Sequence, residues 1–267
     1  FIYFIATIIA IVFIKIYSFN HLPYYPDQDL NNYLGILNLI STTLLLYIAV
    51  RMFKQENLKY SKEINLQRTL LEEKNKDILA SITYAKRLQD AILPPLSLIK
   101  KTLPESFVLY KPKDIVAGDF YWMEQIENNI LIAAADCTGH GVPGALVSVV
   151  CSNALNRTVK EFHITEPGKI LDKVRELLLE TFEKSENNVQ DGMDISLCCI
   201  HTHTTEIEWS GANNSLLYFQ NGILQEILPD KQPIGKHINP TPFKTNKINF
   251  QKGDIFYLFT DGFADQF

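Results

Sequence analysis

An α+β layered domain is the fold class this sequence predicts, set behind an apolar N-terminal stretch and a long charged helix. Three observations predict it. Apolar, strand-like runs fall into two blocks separated by a pair of helical segments, unlike the regular alternation of a βαβ fold. Two runs near the N-terminus are long enough to cross a hydrocarbon core. Between these and the domain, residues 54–93 are charged and contain neither glycine nor proline.

The apolar runs are Phe1 to Phe19, where Lys15 is the sole charge, and Tyr33 to Phe53, where the first charge is Arg51. Residues 1–53 are therefore expected to form two transmembrane helices around a short outer loop, 20–32. A signal peptide is the rival for the first run, but no basic segment precedes it and no small-residue cleavage site follows. The loop carries Asp27 and Asp29 but no Lys or Arg, whereas Arg51, Lys54, Lys59 and Lys62 follow the second run. The positive-inside rule places the loop outside and everything beyond Phe53 in the cytoplasm. Lys15 is expected to snorkel to the outer interface. Phe1 is not an initiator methionine and the chain stops at Phe267, so both ends read as cut.

Residues 54–95 read as a helical linker ended by Pro94-Pro95. Ile64, Leu71, Ile78, Ala85 and Ile92 recur every seven residues, while the matching positions Ser61, Arg68, Asn75, Ile82 and Gln89 are mostly polar. A weak parallel homodimer through residues 61–92 is one reading. A single solvated helix is the other.

In the domain, residues 96–267, strands are expected at Phe107 to Tyr110, Asp119 to Gln125, Ile130 to Ala135, Ile195 to His201, Glu206 to Ser210, Leu216 to Gln220, Ile223 to Ile227 and Ile255 to Thr260. Helices are expected at Val142 to Phe162 and Pro167 to Glu183. The four cysteines, Cys137, Cys151, Cys198 and Cys199, lack metal-site or disulfide spacing and read as reduced thiols. A net charge of -5 offers no basic footprint for nucleic acid.

Three acidic residues beside glycine lie at the ends of strand-like runs: Asp119 in Gly118-Asp119-Phe120, Asp136 in Asp136-Cys137-Thr138-Gly139-His140-Gly141, and Asp261 in Thr260-Asp261-Gly262. Strand ends meet across a sheet, and oxygen-only ligands suit Mg²⁺ or Mn²⁺ better than zinc. Metal-assisted hydrolysis is the chemistry this suggests. Simple turn formation is the competing account, strongest for Asp261. Asp114, Asp191 and Asp194 read as structural or peripheral. His201 and His203 alternate on a strand without an evident third partner and read as solvated.

The run Lys111-Pro112-Lys113-Asp114-Ile115-Val116-Ala117-Gly118-Asp119-Phe120-Tyr121-Trp122, then Ala135 to Ala145, resembles the SpoIIE/RsbU-type branch of the metal-dependent serine/threonine phosphatases. Asp191-Gly192-Met193-Asp194, Ser210 to Asn214, Gln232-Pro233-Ile234-Gly235 and Thr260 to Phe263 follow in the family's order. The resemblance implies an α-β-β-α sandwich, incomplete at the C-terminus, with two divalent metal ions, Mn²⁺ or Mg²⁺, at one end. It implies that Asp136 bridges the metals, that the Cys137 backbone carbonyl holds one of them, and that Asp119 and Asp261 supply further carboxylates. A later family aspartate lies beyond Phe267, which would weaken a metal site. His140 is a candidate proton donor to the departing serine oxygen, or a structural histidine. Lys111 or Lys113 is a candidate for the phosphate-binding arginine of eukaryotic relatives. The expected protein is a phosphoserine phosphatase of the bacterial cytoplasmic membrane, multi-pass, with its catalytic domain in the cytoplasm. Its expected substrate is a phosphorylated STAS-type regulator, an anti-sigma-factor antagonist. The rival is a pseudophosphatase that binds a partner without turnover.

Overall fold

The computed structural model describes residues 12–17, 28–183 and 191–262. The chain divides into two compact units, Phe1–Asp77 and Ile78–Phe267.

In the first unit residues 12–17 are helical, and α1 begins at Gln28; it runs unbroken as Gln28–Ile92. The expected first span otherwise lies outside the described residues. Within the described residues α1 is the one helix long and apolar enough to cross a membrane, with a mean hydropathy of 1.9 over a window that is 0% buried. Lys15 does not stand free to snorkel: its ammonium donates to Ser41 Oγ at 2.7 Å. Ser41, Thr42 and Thr43 in turn donate to backbone carbonyls one turn back, which is how hydroxyls are satisfied within an apolar helix.

The second unit begins in the last turns of α1. Here the expected dimer seam changes character. Gln89, assigned by its heptad position to the seam, is 3% exposed and bonds within its own chain. Its Nε2 donates to the Ala117 carbonyl at 2.6 Å and to Ser148 Oγ at 2.9 Å, and its Oε1 accepts the Ala117 N–H at 3.1 Å. A seam over 61–92 therefore cannot extend intact to its C-terminal end. Ile64, Leu71 and Ile78 remain exposed. The helix stops at Ile92, as Pro94-Pro95 dictates, and a short α2, Leu96–Thr102, follows.

The domain is layered. A five-stranded antiparallel sheet has the order β1-β2-β3-β4-β7, built from β1 (Phe120–Ile126), β2 (Asn129–Cys137), β3 (Met193–His201), β4 (Glu206–Ala212) and β7 (Asn246–Asn249). A three-stranded sheet has the order β6-β5-β8, from β5 (Leu216–Gln220), β6 (Ile223–Ile227) and β8 (Ile255–Leu258). Helices α3 (Gly141–Lys160) and α4 (Pro167–Glu183) cover one face of the larger sheet.

The alternation of residues along each strand assigns the layers. Leu131, Ala133, Ala135 and Cys137 of β2, with Met193, Ile195, Leu197 and Cys199 of β3, pack under Leu155, Val159, Ile170, Leu171 and Val174 of the helices. The opposite parity, including Cys198, Ile207 and Trp209, packs against Leu216, Tyr218 and Phe256 of the second sheet. Trp209 is fully buried and its indole N–H donates to Ser196 Oγ at 2.8 Å, so its polar atom is satisfied between the sheets.

Two expectations fail. Phe107 to Tyr110 is irregular, because Phe107 and Leu109 are exposed and no neighbouring strand takes up their backbone groups. Strand β7 was not expected: its residues are polar except Ile248, and the edge position requires no more.

Replacing Gln89 by alanine strips three buried hydrogen bonds, so Gln89→Ala is expected to lower domain stability by about 1–3 kcal/mol, read by urea denaturation. A variant as stable as the parent would show that the contact does not hold the helix end in place.

Candidate metal centre

Strand direction gathers the acidic residues at one end of the sandwich. Phe120 of β1 pairs with Ala135 of β2, so Asp119, one residue earlier, faces Asp136 at the head of the ladder. On the other side Asp136 pairs with Asp194 of β3. The parity of Asp136 and Asp194 is that of Ile132 and Cys198, so both turn away from the helices and toward the second sheet. The fourth residue comes from that sheet. Leu258, the last residue of β8, pairs with Leu216 at the start of β5, and the loop from β4 to β5 leaves from the same end. Asp261 follows three residues later.

The closure across the sandwich is direct. Thr260 Oγ1 donates to Asp119 Oδ2 at 2.8 Å, and a side chain on Gly262 would come within 3.2 Å of that same oxygen. The carboxylate of Asp136 lies within hydrogen-bonding reach of those of Asp119 and Asp261. The structure thus brings Asp119, Asp136 and Asp261 together. Burial, then the proton shared with Asp119 and the charges of Asp119 and Asp261, push Asp136 up to about 8. Burial and the Asp261 charge also raise Asp194, against the Asn213 amide that donates to its Oδ1 at 2.9 Å. A half-buried group of carboxylates that must hold a proton to coexist is a fitting donor set for a hard divalent cation, which replaces the proton.

Glycine shapes the loops here. A Cβ on Gly118 would sit 2.7 Å from the Gly139 carbonyl oxygen and 2.8 Å from that of Cys137. Gly139 and Gly141 have φ of 85° and 62°, which only glycine adopts freely, and they hold His140 between them at the start of α3. The His140 side chain is 92% exposed and its Nδ1 lies 3.3 Å from Asp114 Oδ2. It is a surface group rather than a packed one. The Cys137 thiol is buried and free; a hydrogen bond with the Cys151 thiol, then burial, holds it well above the ordinary thiol range, so it stays protonated. Lys111 and Lys113 are exposed.

Thr138 Oγ1 donates to Asp191 Oδ1 at 2.8 Å and accepts the Gly192 N–H at 3.2 Å. Ile234 and Met193 exchange both backbone bonds, so the Gln232 to Gly235 motif anchors the start of β3. Tyr110, unremarked in the sequence, donates to the Asp119 carbonyl at 3.2 Å. Thr260 was read only as part of a motif; a hydroxyl preceding an acidic turn gives no hint of a bond 141 positions away.

At the other end of the large sheet, His201, Glu206 and Glu208 bring ligand-type atoms within 4.8 Å of one another. The expectation that no third partner lies near His201 and His203 is corrected for His201, beside which the β3–β4 hairpin sets Glu206 and Glu208. No cation from outside is needed there, because the Lys247 ammonium sits 2.8 Å from Glu208 and 3.0 Å from Glu206. Bonds to Glu208 and Glu206 raise Lys247 above the ordinary lysine range.

Residues 126–267 match the family described as stage II sporulation protein E (SpoIIE). Of the solved structures similar to this chain, the SiaA PP2C domain of Pseudomonas aeruginosa is 31% identical with a TM-score of 0.65, covering 72% of this chain and 75% of that one. The PP2C phosphatase domain of SpoIIE from Bacillus subtilis, solved with a fragment of its regulatory domain, is 16% identical with a TM-score of 0.46, over 56% of this chain and 42% of that one. The S. agalactiae serine/threonine phosphatase is 16% identical with a TM-score of 0.47, over 60% and 79%. No curated protein matches the sequence.

The raised Asp136 carboxyl sets the pH response of the metal-free protein. The folded chain keeps a proton that the unfolded chain releases above 3.8, so stability falls as pH rises from there to about 8. Thermal unfolding in EDTA is expected to show a falling Tm across that window, flattened in Asp136→Asn. Added Mn²⁺ is expected to raise Tm more at pH 8 than at pH 5.

Proposed function

The chain belongs to the SpoIIE family and carries a PP2C-type protein serine/threonine phosphatase domain, and we propose that this domain is a membrane-anchored, divalent-metal-dependent phosphoserine hydrolase. The observation that carries the reading is the convergence of the half-buried Asp119 and Asp136 with the exposed Asp261 at the end of the sandwich. In this reading Asp136, Asp119, Asp261 and the Cys137 backbone carbonyl would be the oxygen donors that hold two divalent ions, Mn²⁺ or Mg²⁺. When bound, such ions supply Lewis acidity toward a phosphate and a water ionised near neutral pH.

The chain's own groups do the rest. Thr260 fixes one oxygen of Asp119, leaving the other to face the cluster. The close packing of Gly118 on the Gly139 and Cys137 carbonyls keeps the Asp119 loop tight on the start of α3. In this reading His140, exposed and 3.3 Å from Asp114, is the group that hands a proton to the departing serine oxygen.

The substrate in this reading is a phosphorylated STAS-type regulatory protein, an anti-sigma-factor antagonist. In this reading residues 33–53 of α1 anchor the chain in the bacterial cytoplasmic membrane, with the domain in the cytoplasm. The apolar length of α1 supports the anchor. A parallel dimer, if formed, uses the heptads before Gln89, where Ile64, Leu71 and Ile78 are exposed.

Hydrolysis of a phosphoserine peptide is expected with Mn²⁺ or Mg²⁺, none with chelator, and a loss of about 10²-fold or more in Asp136→Asn. Turnover that ignores EDTA would sink the metal reading. A separate comparison addresses His140. His140→Ala is expected to slow phosphoserine hydrolysis by about 10²–10⁴-fold and p-nitrophenyl phosphate hydrolysis far less, since nitrophenolate departs without a proton. Equal losses on both substrates would remove His140 from proton transfer.

A further inference from the structure

Asp194 is the carboxylate at this end of the sheet to which the reading above gives no work. It stands directly opposite Asp136 in the β2–β3 ladder, on the same face, with Asp119 on the other flank of Asp136. Its setting differs from that of Asp191, whose Oδ1 accepts the Thr138 hydroxyl at 2.8 Å in the neighbouring loop.

The support of Asp194 is built with some strain. Its Oδ1 accepts the Asn213 Nδ2 at 2.9 Å. Asn213 has φ of 56°, the left-handed region that asparagine tolerates better than most residues with a Cβ. That backbone is pinned: the Asn213 N–H donates to the Asp230 carbonyl at 3.0 Å, and the Asp230 N–H to the Gly211 carbonyl at 3.0 Å. One oxygen of Asp194 is thereby oriented by a fixed amide, while its Oδ2 has no protein donor among the described residues. Such an arrangement, one oxygen held and one left open beside other carboxylates, is how a ligating carboxylate is oriented by its supporting shell.

We propose that Asp194 is a fourth carboxylate ligand of the divalent-cation centre, with Asn213 as its positioning residue. The proposal rests on the reading of that centre as a cation site and adds a ligand from β3. It makes β1, β2, β3 and the segment after β8 each contribute one carboxylate.

The test is isothermal titration of Mn²⁺ into the full chain in detergent micelles, with metal-free thermal unfolding of each variant alongside. Asp194→Asn keeps the oxygen that Asn213 binds and removes only the charge. It is expected to weaken Mn²⁺ binding at least about tenfold while leaving the metal-free fold intact. Asn213→Ala, which keeps the charge but frees it, is expected to weaken binding by less. Glu206→Gln, the same charge change at the far end of the sheet, is expected to bind as the parent does. Parental Mn²⁺ affinity in Asp194→Asn, with binding lost in Asp136→Asn, would overturn this proposal and leave the metal centre standing. No Mn²⁺ uptake by the parent would bring down both. Should Asp194→Asn fail to fold, parental affinity in Asn213→Ala still overturns the assignment.

Discussion

Like charges held close together, part-way out of solvent, are the constraint around which this domain is arranged. Two unit charges 4 Å apart interact by about 4 kcal/mol at an effective dielectric of 20, so carboxylates do not gather at a strand end by default. The antiparallel ladder forces them there: Asp136 and Asp194 are paired across β2 and β3, Asp119 immediately precedes β1, and the segment after β8 delivers Asp261 from the facing sheet. A proton or a cation must resolve the conflict, and the raised Asp136 shows which of the two answers when no cation is bound.

Such a group keeps its geometry only if the frame resists relaxing. Behind it lie Leu131, Ile195 and Leu197, each at 0% exposure, clamped under α3 and α4. On the face of the larger sheet turned to the second one, a buried bond ties Trp209 of β4 to Ser196 of β3. Gln89 adds a third tie, from the end of α1 to Ala117, two residues before Asp119, and to Ser148 on α3. Helix end, acidic loop and covering helix therefore share one hydrogen-bonding side chain.

Much of this was legible in the sequence because the site residues carry local signatures. Asp119, Asp136 and Asp261 each sit beside glycine at the end of an apolar run, and both signals survive without tertiary context. Helices α3 and α4 follow from their apolar faces. What could not be read depends on register. Asp194 resembles a turn residue in Asp191-Gly192-Met193-Asp194 until the ladder sets it opposite Asp136. Gln89 fits a heptad, and nothing local says that its partner is a backbone 28 positions on. His201 gains Glu206 and Glu208 only when the hairpin closes. Strand β7 is too short and too polar for periodicity to reveal, and Phe107 to Tyr110 alternates like a strand without a neighbour to pair with.

The two ends of the large sheet solve the same electrical problem in opposite ways. Around Glu206 and Glu208 the chain brings its own ammonium, Lys247, and part of the compensation is written into the covalent structure. Around Asp136 the balancing charge must arrive from solution. A phosphate ester shares the sign of the bare cluster and is repelled by it, whereas the loaded cluster attracts it. In the proposed reading, binding order follows from sign alone: ion first, phosphoprotein second, with the ambient supply of divalent ions acting as a gate on encounter before any bond is broken.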